Sequence, residues 1–142
     1  MTSSVVDTDT EFGARVAERL DSDQIVWLTT VGPSNTPQPN PVWFLWSDGT
    51  VLIFSKPDQA KVRNIRRNPR VSLHLNSTST GGDVVVLTGT AHIEEVPPAD
   101  AETDALLAKY REGLASLGIS GEEFAATYSA TIRIVPDRLR GF

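Results

Sequence analysis

The chain has 142 residues, 39% of them hydrophobic and 22% charged, with no cysteine and a formal net charge of −5. This length and composition are typical of one ordinary globular domain that buries an adequate core without cross-links. The absence of cysteine excludes disulfides and thiolate chemistry. The acidic net charge argues against a general nucleic-acid binder, and the apolar runs are too short to span a bilayer.

The first predicted elements in chain order are a polar tail and a helix. Residues 1–9 are polar and acidic, which predicts a disordered tail, and residues 10–142 then form a single domain. The tail lacks the basic and apolar pattern of a signal peptide, so we expect a cytoplasmic protein. Phe12, Val16 and Leu20 recur at helical spacing, which predicts a helix directly after the tail.

Three strands are predicted next, and the second contains prolines. QIVWLTTV (24–31) is rich in β-branched and aromatic residues and predicts a strand, and GPSN predicts a turn. TPQPNPVWFLW (36–46) predicts the second strand. Since proline cannot donate to a sheet ladder, its first half should lie at an edge or be irregular. The SDG turn and TVLIFS (50–55) complete a hairpin.

The aromatic end of the second strand is apolar on both faces. Val42, Phe44 and Trp46 alternate with Trp43 and Leu45. One face belongs to a core, and the other needs a helix, a flat ligand or a second subunit to cover it. Burial in the core or in a dimer is one interpretation. A planar cofactor against the start of the segment, where prolines leave backbone groups free, is the other.

The rest of the chain adds shorter helices and strands. The predicted elements are a helix at 58–67, strands at 70–76 and 84–96 with a bend at Gly89, a helix after Pro98, a shorter helix in GEEFAATY, and a last strand at 129–136 before a short tail. Six strands joined mainly as hairpins favour a mainly β (α+β) fold, a six-stranded antiparallel barrel with peripheral helices.

The segment SKPDQAKVRNIRRNPR (55–70) holds six of the thirteen basic residues. With Asp58 as the helix N-cap, Lys61 is the third helical residue, where an ammonium is unfavourable unless an anion binds at this positive helix end. Asn64 lies one turn later on the same face, and Ser55 and Lys56 can reach the same place. The arginines beyond it would suit a ligand with a phosphate and an acidic tail; they are Arg63, Arg66, Arg67 and Arg70. The alternative is a solvated basic helix without a ligand.

Few side chains could carry out a reaction by themselves. The two histidines, His74 and His92, do not stand at a metal-binding spacing. The sequence contains neither a nucleophile elbow nor a glycine-rich phosphate loop. If the protein is an enzyme, a cofactor must supply the chemistry.

A resemblance to a known superfamily is carried by three segments, WLTTVGPSNTPQPNPVWFLW, LIFSKPDQAKVRNIRRNPRVSLHL and GGDVVVLTGTAHIEEV. Together they are similar to the split β-barrel flavin and deazaflavin oxidoreductases, which include the pyridoxamine 5′-phosphate oxidases. The resemblance is strongest to the actinobacterial-type proteins that bind coenzyme F420, a deazaflavin with a phosphate and a polyglutamate tail. It implies a homodimer with the cofactor at the subunit interface and a small-molecule substrate.

Carried over residue by residue, the resemblance also implies a cofactor site. Lys61 would hold the phosphate, with Asn64 at the matching helix position. The other implied residues are Ile53, Phe54, Ser55 and Lys56 beside the ring and ribityl chain, Pro41, Val42 and Trp43 at the border of the ring, and Gly82, Asp83 and Val84, with the C-terminal tail around Phe142, from the partner subunit.

Two departures bear on the choice of cofactor. FMN-binding oxidases of this superfamily commonly have an arginine where Asn40 stands and a second basic residue where Ala60 stands. Their absence favours F420, and our leading hypothesis is an F420-dependent oxidoreductase that transfers a hydride between reduced F420 and an unsaturated small molecule. The alternatives are an FMN-dependent enzyme of the same fold and a non-catalytic F420-binding or carrier protein. The sequence predicts no catalytic residue.

Overall fold

The structure is a computed structural model that describes residues 4–142, with seven strands and five helices. The strands are β1 (Val26–Val31), β2 (Pro37–Val42), β3 (Leu45–Ser47), β4 (Thr50–Ser55), β5 (Arg70–His74), β6 (Val85–Glu94) and β7 (Ala130–Gly141). The helices are α1 (Glu11–Ser22), α2 (Ala60–Arg67), α3 (Asp100–Lys109), α4 (Arg111–Leu117) and α5 (Gly121–Thr127). Among the described residues, no helix is long and apolar enough to cross a membrane.

All strands belong to one antiparallel sheet in the order β2-β1-β5-β6-β7-β4-β3. Its two outermost strands, β2 and β3, are joined by only two residues, Trp43 and Phe44. Because so short a connection spans only a few ångströms, the two edges must lie close together and the sheet must curl. The result is a half-barrel whose edges meet without a closing ladder, which confirms the predicted split barrel.

The segment predicted as one strand at 36–46 is therefore two, and the barrel has seven strands instead of the expected six. The proline-bearing half, β2, is an edge strand, as predicted from its missing donors. The chain leaves this edge at Phe44, whose backbone N–H donates to the Tyr110 hydroxyl at 2.8 Å instead of to a neighbouring strand. This side-chain acceptor interrupts the ladder at the point where the chain crosses to the opposite edge.

The sheet buries two separate cores. The larger fills the barrel interior with fully buried side chains such as Phe44, Ile53 and Leu73. The smaller lies outside the barrel, where Trp43 and Leu45 pack against helices α3 to α5. The alternation predicted for the aromatic segment is therefore present. Its second face is covered by helices of the same chain, so this face no longer argues for a dimer.

Several predicted boundaries differ in the structure. Helix α2 begins at Ala60 with Gln59 as N-cap, so Asp58 does not cap it and Lys61 is its second residue. The segment after Pro98 forms two helices. The last strand runs on to Gly141 in place of a short tail, because residues 136–141 pair with β6 beyond the register shift at Gly89, the predicted bend.

Part of the N-terminal segment packs on the domain. Residues 1–3 lie outside the described residues. Val6 is only 6% exposed and belongs to the barrel core, and Val5 packs against that core. Thr10 caps α1 by accepting from the Gly13 backbone N–H at 2.9 Å.

Candidate functional site

A cleft of about 400 Å³ opens where the ends of β2 and β4 meet helix α2 and the α4–α5 loop. This volume lies within the range of small-molecule sites. Seven residues of the implied cofactor site line it: Pro41, Val42, Trp43, Phe54, Ser55, Lys56 and Lys61. Sequence reasoning did not find the other six lining residues, which are Ile25, Gln59, Leu117, Ile119, Phe124 and Tyr128.

One wall of the cleft is aromatic. Trp43 stacks on the buried Tyr110 ring with centroids 4.4 Å apart and planes 5° apart. Phe124 lies 5.6 Å from Trp43 and 4.6 Å from Tyr128, and Phe54 lies 6.3 Å from Phe124. Such a contiguous set of ring faces favours a flat, conjugated ligand.

Tyr110 holds this wall in place. Its hydroxyl accepts from the Phe44 N–H and donates to the Gln24 carbonyl, both at 2.8 Å. Burial raises the pKa of this phenol to about 12, so it stays protonated and keeps its donor over the whole physiological range. Beside it, the Lys109 ammonium donates to the Phe44 carbonyl at 3.0 Å, and burial lowers the pKa of Lys109 to about 8.

Local signals in the α4–α5 segment explain how the remaining wall residues reach the cleft. Gly118 ends α4 in the left-handed conformation, φ 70°, which redirects the chain so that Leu117 and Ile119 both line the cleft. Ser120 then starts α5 with a capping box, in which its side chain and that of Glu123 bond each other's backbone N–H. The spacing of Phe124 and Tyr128, four residues apart in GEEFAATY, was the signal that could have revealed this wall.

Lys61 lies at the other side of the cleft, on the inward face of α2. It stands three and four residues before the buried Asn64 and Ile65, so it shares their face. Burial lowers the pKa of Lys61. Within residues 4–142 its ammonium has neither a carboxylate nor a hydrogen-bond partner. The first turn of α2 contains no acidic residue and its N-cap, Gln59, makes no side-chain cap bond, so this helix end favours an anion.

Ser55 and Lys56 form the rim between the two sides. Ser55 is buried, and its hydroxyl donates to the Lys56 carbonyl at 3.0 Å. The Lys56 ammonium lies 5.7 Å from the centroid of the Tyr128 ring, a cation–π distance. Both lysines of the implied site therefore border the same cleft.

Two residues of the implied site serve the fold in this chain. Ile53 is fully buried in the barrel core. Asn64 is 3% exposed and donates to the Thr30 hydroxyl at 3.0 Å and to the Gln38 side chain at 2.8 Å. These bonds tie α2 to β1 and β2, so Asn64 positions the helix that carries Lys61.

The three residues expected from a partner subunit lie away from the cleft within one chain. Asp83 forms ion pairs with Arg15 at 3.1 Å and Arg19 at 3.3 Å. Val84 pairs with Phe142, and Gly82 bonds to Thr78. Their contribution to a cofactor across a dimer stays a prediction.

The arginines after Lys61 are dispersed instead of lining one track. Arg63 donates to the Asp58 carbonyl, and Arg66 lines a separate groove. Arg67 donates to Asn64 at 2.8 Å, and Arg70 pairs with Asp137 at 2.5 Å. A continuous path for an acidic tail along these arginines is therefore not present in this chain.

The described part of the chain contains no candidate metal site, because no three His, Cys, Asp or Glu side chains lie together there. The titratable groups that border the cleft are Lys56, Lys61 and Tyr128. Ring faces and two ammonium groups are the chemistry that suits a flat anionic molecule. None of these groups is paired with a second one as acid and base.

Comparisons with known proteins agree with the geometry. The sequence model of the family described as pyridoxamine 5′-phosphate oxidase matches residues 12–140. None of the curated proteins matches the sequence significantly. The solved structure of the conserved hypothetical protein Rv2991 from Mycobacterium tuberculosis is 26% identical with a TM-score of 0.71, over 99% of this chain and 88% of that chain.

Two further solved structures resemble the chain in fold. An F420 reductase is 23% identical with a TM-score of 0.66, over 87% of this chain and 94% of that one. HutZ, a heme storage protein from Vibrio cholerae, is 15% identical with a TM-score of 0.66, over 93% and 95%. One fold therefore serves proteins with different ligands, and the residues of the site must decide between them.

Proposed function

Because the chain belongs to the pyridoxamine 5′-phosphate oxidase family, we propose that it is an F420-dependent oxidoreductase that acts on an unsaturated small molecule. The observation that carries this proposal is Lys61, a partly buried ammonium on the inward face of α2 without an anionic partner in residues 4–142. It borders a cleft with a contiguous aromatic wall. A flat ring that bears a phosphate satisfies both features.

The residues present fit such a cofactor. No acidic side chain of the described chain lines the cleft, so a phosphate meets no repulsion there. Lys61 and the free N–H groups at the start of α2 would hold the phosphate. Trp43, Phe54 and Pro41 would flank the ring and exclude water from one of its faces.

The chemistry comes from the cofactor, since the described residues that line the cleft include no paired acid and base. When bound, F420 supplies a hydride at C5 of its deazaflavin ring. The chain's part is to orient the ring and to bring the acceptor against it. Tyr110 bonds the Phe44 backbone and stacks on Trp43, so contacts within the fold already position Trp43 for a ligand.

The choice of F420 over FMN is supported by Asn40 and Ala60, which replace the basic residues of the FMN pattern. Both are exposed and neither lines the cleft. Among the described residues, Lys61 is the one cation of α2 that lines the cleft and could bond a phosphate there. The similarity to the F420 reductase is a similarity of fold and is compatible with either cofactor.

We also propose a homodimer in which Gly82, Asp83 and Val84 approach the partner's cleft. On the outer face of the barrel, Trp27 lies parallel to His74 with ring centroids 6.0 Å apart, and Phe142 is 68% exposed. A half-buried aromatic pair on the outer face and an exposed terminal ring are features that suit an interface. Light scattering after size exclusion tests the assembly, and a monomer at all concentrations overturns it.

Parallel titrations with F420 and FMN test the cofactor. Quenching of tryptophan fluorescence reports binding, because Trp43 lines the cleft. We expect saturable binding of F420 and much weaker binding of FMN. If the protein prefers FMN, the proposed cofactor is wrong and the proposed site stands. If it binds neither cofactor, the proposed function is wrong.

A non-catalytic F420 carrier is the second candidate. It is favoured by the absence of a paired acid and base around the cleft in the described chain. Oxidation of bound reduced F420 by a panel of conjugated carbonyl compounds separates the two. Accelerated oxidation relative to free reduced F420 supports the enzyme, and an unchanged rate supports the carrier.

A further inference from the structure

The cleft contains more positive charge than one phosphate requires. Two ammonium groups, Lys56 and Lys61, line it, and no carboxylate of residues 4–142 faces them. The chain as a whole is acidic, with a net charge of −5. An acidic protein that keeps one cleft free of acids and gives it two cations favours two anionic groups there.

The two lysines serve different parts of the cleft. Lys61 lies on the inward face of α2, next to Asn64. Lys56 precedes the turn that leads into α2, closed by the Gln59 N–H bonding the Lys56 carbonyl at 3.3 Å. Its ammonium lies 5.7 Å from the centroid of the Tyr128 ring in the helical wall, a contact that Lys61 does not make. An anion at Lys61 therefore leaves the ammonium of Lys56 available.

The surface next to Lys56 is aromatic and apolar. Tyr128 stacks on Phe124 at 4.6 Å, and Leu117, 64% exposed, stands at the mouth. Leu117 and the ring faces therefore offer apolar surface of the same cleft to a ligand, which would remove that surface from water. The surroundings of Lys56 thus combine one cation with a flat apolar surface.

We propose that Lys56, Tyr128 and Leu117 form a second subsite of the cleft, which binds the hydride acceptor and selects flat, conjugated molecules that carry one anionic group, such as a carboxylate or sulfonate. The assignment of this ligand as the acceptor rests on the proposed function. The subsite itself is a property of the protein without its cofactor. It predicts that neutral analogues of the same shape bind more weakly than anionic ones.

Two fluorescent probes that differ by one sulfonate test the subsite directly. They are 8-anilino-1-naphthalenesulfonate, which is anionic, and N-phenyl-1-naphthylamine, its neutral counterpart. Each is titrated into the cofactor-free protein and into Lys56→Gln, with Arg111→Gln as the control. Arg111 is exposed on α4 and does not line the cleft, so its loss changes the net charge equally.

We expect Lys56→Gln to weaken the anionic probe by about threefold to tenfold, the range for a charge-assisted contact at a solvated rim, and to leave the neutral probe unchanged. Arg111→Gln should leave both probes unchanged. Leu117→Ser should weaken both, which locates the probes in this cleft. Equal effects of Lys56→Gln on the two probes, or no effect of Leu117→Ser, would overturn the subsite.

The same titrations with F420 present separate this proposal from the proposed function. If F420 binds and the probes do not distinguish Lys56→Gln from wild type, the subsite fails and the cofactor proposal stands. If F420 does not bind and the anionic probe still depends on Lys56, the subsite stands and the cofactor proposal fails.

Discussion

The hydroxyl of Tyr110 is a single group on which the position of the aromatic wall depends. Tyr110→Phe removes it and keeps the ring that stacks on Trp43 at 4.4 Å. In the native chain this hydroxyl accepts from the Phe44 N–H and donates to the Gln24 carbonyl. The same hydroxyl lies 3.1 Å from the Phe44 carbonyl, and this carbonyl keeps a donor in the variant because Lys109 also bonds it.

The cost can be worked out from these contacts. Phe44 is fully buried, so its N–H is left unpaired in an apolar place, at about 1–3 kcal/mol. Loss of the bond to Gln24 adds about 0.5–1.5 kcal/mol. We expect Tyr110→Phe to lower the free energy of unfolding by about 1.5–4.5 kcal/mol, a large fraction of the stability of a domain.

Equilibrium urea unfolding, followed by tryptophan fluorescence and far-UV circular dichroism, measures this loss. Tyr128→Phe is the matched control: Tyr128 is only partly buried, and its hydroxyl has no hydrogen-bond partner within residues 4–142. Its free energy of unfolding should change by less than about 0.5 kcal/mol. If Tyr110→Phe costs no more than Tyr128→Phe, the hydroxyl does not anchor the crossing between the sheet edges.

Two further variants test the ion-pair network and the barrel's bend. The Arg133 guanidinium hydrogen-bonds Glu102 and lowers the pKa of that carboxyl to about 2. The stabilisation from this pair is therefore present above about pH 4.5 and is lost as the pH falls toward 2. Because solvent screens the pair, the free energy of unfolding across this range should fall by about 1 kcal/mol more in wild type than in Glu102→Gln. An equal pH dependence of both would contradict this. A Cβ at Gly89 would lie 2.3 Å from the Val135 carbonyl oxygen, so Gly89→Ala should lower the midpoint of thermal unfolding clearly more than Gly82→Ala, where the nearest atom is 3.1 Å away. Equal midpoints would mean that the bend tolerates a side chain.

Patterns that depend on neighbouring residues could be predicted from the sequence. The edge position of β2 follows from its prolines, and the bend at Gly89 follows from a glycine inside a long strand. The alternation of apolar side chains between two faces around Phe44 could also be predicted, because it depends only on neighbouring residues. Lys61 was found because a lysine at a helix start is electrostatically unfavourable without an anion.

Features that depend on long-range contacts could not be predicted. The split of one predicted strand into β2 and β3 depends on Tyr110, 66 residues away from Phe44. The spacing of Phe124 and Tyr128 shows that they share a face of α5, but that this face meets Phe54 of β4 and lines the cleft depends on a long-range contact. The hydrogen bonds that Asn64 and Arg67 make within the chain likewise depend on the positions of β1 and β2, which a helical spacing does not reveal.

The affinity of F420 for wild type and for Lys61→Met tests the central claim most directly. Methionine keeps much of the length and packing of the lysine and removes only its charge, and Arg111→Met is the control at an exposed position outside the cleft. If Lys61 bonds the phosphate, affinity should fall by about 1.5–3 kcal/mol, roughly tenfold to a hundredfold, while Arg111→Met binds like wild type. An unchanged affinity of Lys61→Met would contradict the account, because the cation on which it depends would not touch the cofactor.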